Sequence, residues 1–189
     1  MANTIVKTIE KPHLSIKVQT LAAIFAIVGA VVVLQIFHVL GAVSGLGTAL
    51  GETFLPMHLP IILVGLLAGP YAGAVAGLLG PVASFALSGM PRITMLPFMM
   101  LELCTYGLVS GLLRNVKLPT VGKVLVTQVA GRIVRSIAVL AAVYVLGNEN
   151  IQVASIWMSI VTGIFGIVLQ WTLLPLIVYR VEHLKKFED

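Results

Sequence analysis

Residues 57–87 read MHLPIILVGLLAGPYAGAVAGLLGPVASFAL, without a single Lys, Arg, Asp or Glu. Two apolar segments make up the stretch, 57–68 and 71–87, split by Gly69-Pro70. Each is short against the roughly 20 apolar residues that carry a helix across a bilayer core. Each also holds a proline, Pro60 and Pro81. Gly65, Gly69, Gly73 and Gly77 recur every four residues, and Gly107 and Gly111 repeat the spacing further on. Helices in lipid gain little from hydrophobicity and associate through close backbone contact, which small residues permit. The stretch is therefore expected to lie inside a bundle of membrane helices, with Gly69-Pro70 as the turn between two of them.

The same character extends outward over the chain. Of its 189 residues 59% are hydrophobic and 10% charged, and its mean hydropathy is +1.07. A soluble domain keeps about 25% of its residues charged, so the outer surface here belongs against lipid. Residues 18–40 form a first apolar run. A signal peptide competes for it, because Ala42-Val43-Ser44-Gly45 resembles a cleavage site. The apolar region of a signal peptide is only about 7–15 residues long, which favours a retained helix. Residues 41–56 read as a long Gly/Thr/Ser-rich loop that dips into the protein. After 57–68 and 71–87 come a loop at 88–94, a fourth helix at 95–113 begun or kinked by Pro97, and a basic loop at 114–120. A fifth helix at 121–146, a polar loop at 147–152 and a sixth helix at 156–179 complete the pattern. The expected fold is an all-α membrane protein, six transmembrane helices in a single compact bundle over residues 18–180. Residues 1–17 and 181–189 flank it, and no segment is long enough for a separate soluble or ATP-binding domain.

Charge orients the bundle. The net charge is +5, and the basic residues sit at helix ends, where they act as topology signals rather than as a nucleic-acid surface. Lys7, Lys11 and Lys17, then Arg114, Lys117 and Lys123, then Arg180, Lys185 and Lys186 mark one side, while 41–56 and 147–152 hold no Lys or Arg. Positive residues mark the cytoplasm. Both termini and the 114–123 region thus fall inside, and loops 41–56, 88–94 and 147–152 outside. Arg92 alone breaks the rule.

Ionisable groups within membrane segments are costly, and each is a functional hypothesis by default. Glu102 in the fourth helix and Arg132 and Arg135 in the fifth qualify, and Gln128, Arg132 and Arg135 share one helical face. At 1.5 Å per residue, Glu102 lies roughly 10 Å below the outer end of its helix and Arg135 roughly 16 Å below the end of its own. An ion pair between Glu102 and one arginine is expected, with the other arginine left to attract an anion; contact of Glu102 with a ligand is the alternative. Tyr106, one turn below Glu102, shares that face. At the outer end gather Glu52, Met57, His58, Met90, Arg92, Asn148, Asn150, Gln152 and Trp157. A guanidinium at Arg92, beside Pro91, suits a substrate carboxylate. His58 is either a helix-start residue or a ligand contact, and Trp157 doubles as an interface anchor. Ala22, Ala26 and Ala30 set a smooth strip on the first helix, which packs internally or receives a helix of another subunit. Cys104 is the lone cysteine and forms no internal disulfide. No P-loop, metal motif, catalytic triad, internal repeat or proton-relay chain is present, which argues against an enzyme, a cofactor or metal site, and a self-powered pump.

Several runs carry a family resemblance. Pro56-Met57-His58-Leu59-Pro60-Ile61, Leu66 to Gly73, Ser88-Gly89-Met90-Pro91 and Glu102 to Gly111 resemble the substrate-binding S components of energy-coupling factor (ECF) vitamin transporters. The resemblance is close over the second to fourth helices and extends to length and span number. It implies six helices, a vitamin pocket near the outer face, and a complex with a transmembrane coupling subunit and two cytoplasmic ATPases in a bacterial plasma membrane. It also implies toppling in the membrane to carry ligand inward, and docking through the Ala22/Ala26/Ala30 strip. The Pro-Met-His run looks similar to the pantothenate-specific branch, and Arg92 suits that monocarboxylate. Another vitamin such as riboflavin or cobalamin, a ligand-free structural or regulatory subunit, and a self-sufficient secondary transporter are the alternatives.

Overall fold

The computed structural model of the protein describes residues 14–185. The expected topology signals Lys7, Lys11 and Lys186 lie outside the described residues. Helices follow in the order α1 (Ile16–Val43), α2 (Ala49–Phe54), α3 (His58–Ala68), α4 (Pro70–Ser88), α5 (Leu96–Leu112), α6 (Thr120–Tyr144), α7 (Ser155–Thr162) and α8 (Ile164–Lys185), with a 3-10 turn at Leu113–Asn115 after α5. Six segments are long and apolar enough to cross a membrane: α1, α2 with α3, α4, α5 with its 3-10 turn, α6, and α8 to Glu182.

The breaks follow local chemistry. Ser15 caps α1 by accepting a hydrogen bond from the Val18 amide at 3.4 Å. Leu55 stands in the left-handed region (φ 47°) and is followed by Pro56, so α2 and α3 meet at a corner. Gly69, at φ 120°, takes a conformation closed to residues with a side chain. Pro70 after it opens α4 at a position where no amide hydrogen bond is lost.

Two expectations are corrected. Residues 41–56 are not all loop: α1 runs on to Val43 and α2 fills the second half. The helix expected over 156–179 is broken at Gly163, which separates the short α7 from α8. There α8 comes so close to the end of α2 that a Cβ on Gly166 would fall on the backbone of Phe54.

Backbones touch at the centre of the bundle. A Cβ on Gly73 would fall on the carbonyl group of Gly107, and one on Gly107 would fall on that of Gly73. Gly77 meets the Leu103 carbonyl in the same way. The four-residue glycine spacing thus lets α4 and α5 cross without a layer of side chains between them. Helix α3 is central, packed by α1, α4, α5 and α8. α1 and α8 flank it and barely meet each other, with α2 bridging them at one end. Leu59, Leu63 and Leu67, four residues apart on α3, stay only half-buried.

The alanine strip faces inward. Ala26 is 8% exposed and Ala30 0%, both in the core with Ala23, and Ala22 is half-buried. Their small side chains let α1 settle onto α4 and α3, the internal packing that was one of the two expectations for Ala22, Ala26 and Ala30.

Candidate functional site

One end of the bundle, where α1 finishes and α3 and α5 begin, holds a cavity of about 470 Å³. That lies within the roughly 300–1,000 Å³ usual for small-molecule sites. Its walls come from almost every element. Leu34 and His38 project from α1, Glu52 and Leu55 from the α2 corner, and Met57 and His58 from the start of α3. Met90, Pro91, Arg92 and Met95 come from the segment before α5, and Met99 from its first turn. Arg132 and Arg135 of α6 and Ser155, Met158 and Ser159 of α7 complete the lining. Five of the chain's seven methionines are among these residues, and no Phe, Tyr or Trp is.

Beneath the cavity lies a buried charge cluster. Glu102 is 0% exposed, and its carboxylate takes both arginines. Arg135 Nη1 donates to Oε2 at 2.7 Å, and Arg132 Nε stands 3.2 Å from Oε1. Arg132 Nη1 also donates to Ser159 Oγ at 2.8 Å, which ties α6 to α7. Tyr106 OH donates to Glu102 Oε1 at 3.0 Å. The His58 ring tilts against that of Tyr106, centroids 5.5 Å apart. A Cβ on Gly131 would fall on the Tyr106 ring, so a glycine one position before Arg132 lets α6 come this close. One carboxylate between two guanidinium groups leaves a surplus positive charge at the cavity floor. Arg132 and Arg135 are 15% and 14% exposed, and both line the cavity. His58 Nδ1, Ser155 Oγ and Arg135 Nε are buried with no hydrogen-bond partner among the described residues, and all three residues line the cavity. Buried polar groups in native structures nearly always have partners. Polar atoms without a protein partner are thus concentrated in the lining of this cavity.

The structure brings some of the sequence candidates together and separates others. Met57, His58, Met90, Arg92 and Glu52 line the cavity. Arg92 is exposed, at the rim. Glu102 and Tyr106 lie beneath the lining and reach the cavity through Arg132, Arg135 and His58. Gln128 leaves the charge cluster altogether. It donates to Gln170 Oε1 at 2.9 Å and accepts from Trp171 Nε1 at 2.7 Å, joining α6 to α8. Asn148 and Asn150 form an exposed turn, in which the Asn150 amide donates to Asn148 Oδ1 at 3.0 Å. Gln152 is exposed, and Trp157 is 70% exposed on α7. None of these four belongs to the lining. Sequence reasoning missed Leu34, His38, Met95, Met99, Ser155, Met158 and Ser159. The spacing of Ser155 and Ser159, four apart on a segment ending at a glycine, was the one available signal.

The family model described as ECF transporter, substrate-specific component, matches residues 17–178. No curated protein matches the chain, and no solved structure does.

Proposed function

The chain belongs to the substrate-specific components of ECF transporters, and from that membership we propose that its end cavity captures a vitamin-sized anion on the outer side of a bacterial plasma membrane. Members of this family are multi-pass binding subunits, not enzymes, and they work with a coupling subunit and ATPases. The observation that carries the anion is the surplus charge on Arg132 and Arg135, held by one buried carboxylate at the floor of a water-accessible space. A buried charge without full compensation is costly, and a ligand carboxylate supplies the missing partner.

Pantothenate is the ligand we put first. It is a flexible monocarboxylate with hydroxyl and amide groups. Its single charge matches the surplus, and His58 and Ser155 offer polar atoms for the rest. The methionine-lined wall favours a flexible aliphatic guest, because methionine adapts its shape to irregular partners. A planar ring system such as riboflavin finds no Phe, Tyr or Trp in the lining to stack on. For the coupling subunit we propose the face of α3 that carries the half-buried Leu59, Leu63 and Leu67.

Calorimetric titration of the purified chain with pantothenate tests the ligand, with mass spectrometry of any molecule retained through purification as a parallel measurement. Saturable one-to-one binding that is lost in Arg135→Ala is expected. A retained neutral or cationic molecule would overturn the anion reading.

A further inference from the structure

A second cavity, of about 450 Å³, opens on the flank of the bundle between α6, α7 and α8. Ile133, Ile137 and Leu140 of α6, Ile160 of α7 and Ile167 of α8 give it an aliphatic wall. Arg132 lines this groove and the end cavity alike. Helix α7 also serves both: Met158 and Ser159 face the end cavity, and Ile160 faces the groove. The partition between the two spaces is thus Arg132 and one short helix. That helix has no buried residue, and its bond to α6 is the one from Arg132 Nη1 to Ser159 Oγ.

The chemistry of the partition is specific. Its polar element is a guanidinium with charge to spare, on the side where an acid group is expected. Its apolar element is the run of aliphatic side chains Ile133, Ile137 and Leu140, which follows the same residue along α6. Leu140 lies eight residues beyond Arg132 on α6, roughly 12 Å along the helix. We propose that the anion site also serves a second class of ligand: carboxylic acids with an unbranched aliphatic arm of medium length. The acid group rests on Arg132 and Arg135, and the arm passes beside α7 into the groove. The inference rests on the reading of the end cavity as an anion site. Charge complementarity at Arg132, and the place of that side chain in the walls of both spaces, select this occupant over an acyl chain of the surrounding lipid.

The test compares butyrate with octanoate, titrated by calorimetry into the full chain in lipid nanodiscs, with empty nanodiscs as the partition control. Octanoate is expected to bind at least tenfold more tightly than butyrate. Ile137→Trp is expected to remove that advantage while leaving butyrate and pantothenate binding unchanged. Ile137 is 61% exposed, so the larger ring fills the groove without entering the core. Equal affinities for the two acids, or an octanoate advantage that survives Ile137→Trp, would overturn the groove and leave the anion site standing. Failure of butyrate, octanoate and pantothenate alike to bind the parent chain would overturn the anion site, and the groove with it.

Discussion

Arg135 Nη1 lies 2.7 Å from Oε2 of Glu102, a contact that joins α5 to α6 across 33 residues of sequence. With Arg132 on the other oxygen, Glu102 holds two cations in place at once. Glu102 is not itself among the lining residues, so it acts as the positioning residue behind the two arginines that are.

Glu102→Gln should therefore cost stability. Removing one partner of a buried pair typically costs about 3–5 kcal/mol, and here it leaves two guanidinium groups without their carboxylate. Thermal unfolding of the detergent-solubilised variant should show a clearly lowered Tm. A normal Tm with binding abolished would instead make Glu102 a direct ligand contact.

Arg92 and Arg135 should separate in their effects. Arg92 is exposed at the rim, where water screens its charge, so Arg92→Ala should weaken pantothenate binding by about tenfold, or roughly 1.4 kcal/mol. Arg92→Lys should recover part of this, because an ammonium lacks the planar fork of a guanidinium. Arg135→Ala should cost well over tenfold. Calorimetry on the three variants ranks them, and a larger loss at Arg92 than at Arg135 would move the anion from floor to rim.

Gly107→Leu should fail to fold. The Cβ alone meets the backbone of Gly73, and no rotamer moves a backbone aside. Overpacking a tight core costs about 1–3 kcal/mol even where side chains can give. The expected result is loss of the monodisperse peak in size-exclusion chromatography. Gly29→Leu, where a Cβ meets nothing within 4 Å, should elute as the parent does.

Partner assembly should depend on α3 more than on the alanines. Leu63→Trp adds bulk on the half-buried stripe of α3 and should reduce co-purification with the coupling subunit while ligand binding persists. Ala26→Trp should destabilise the isolated chain, because Ala26 is closed within the core. A well-folded Ala26→Trp protein that binds ligand yet fails to assemble would return the docking surface to α1.

Orientation can be read by labelling. With Cys104 replaced by alanine, a cysteine at Asn148 should react with an impermeant maleimide added outside intact cells, and one at Lys117 should not. The reverse pattern would invert the bundle.

Much of this architecture was legible in the sequence because lipid imposes crude rules. A chain with 10% charged residues has few ways to fold other than as membrane helices, and depth counting along two helices put Glu102 within reach of one arginine, but did not show that its carboxylate takes both. Periodicity was weaker at saying what a face meets. Ala22, Ala26 and Ala30 define a stripe, but a smooth stripe suits α4 of the same chain as well as a foreign helix. The break at Gly163 was invisible, because a glycine between Thr162 and Ile164 disturbs no hydropathy pattern and its cause is the approach of Leu55 and Phe54 from far away in sequence. Met95, Met99 and Met158 were passed over for a related reason: methionine fills gaps anywhere in a core, so only the fold reveals that these converge. Asn148 and Asn150 were drawn toward the site by their polarity, whereas the turn they form satisfies itself.

The crossing of α4 and α5 at Gly73 and Gly107 has a mechanical side. Two helices separated by side chains can slide, because rotamers give way between them. Backbones in direct contact have no such cushion, so α4 and α5 are geared together, and α3 with them through Gly65 against Ser110 and Gly107. The opposite wall is built differently: α7 is short, carries no buried residue and joins α8 at a glycine. The bundle therefore has a stiff half and a compliant half, with the cavity between them. The α7 wall is the one expected to give way to a guest larger than the resting space, and α4 and α5 are expected to move as one.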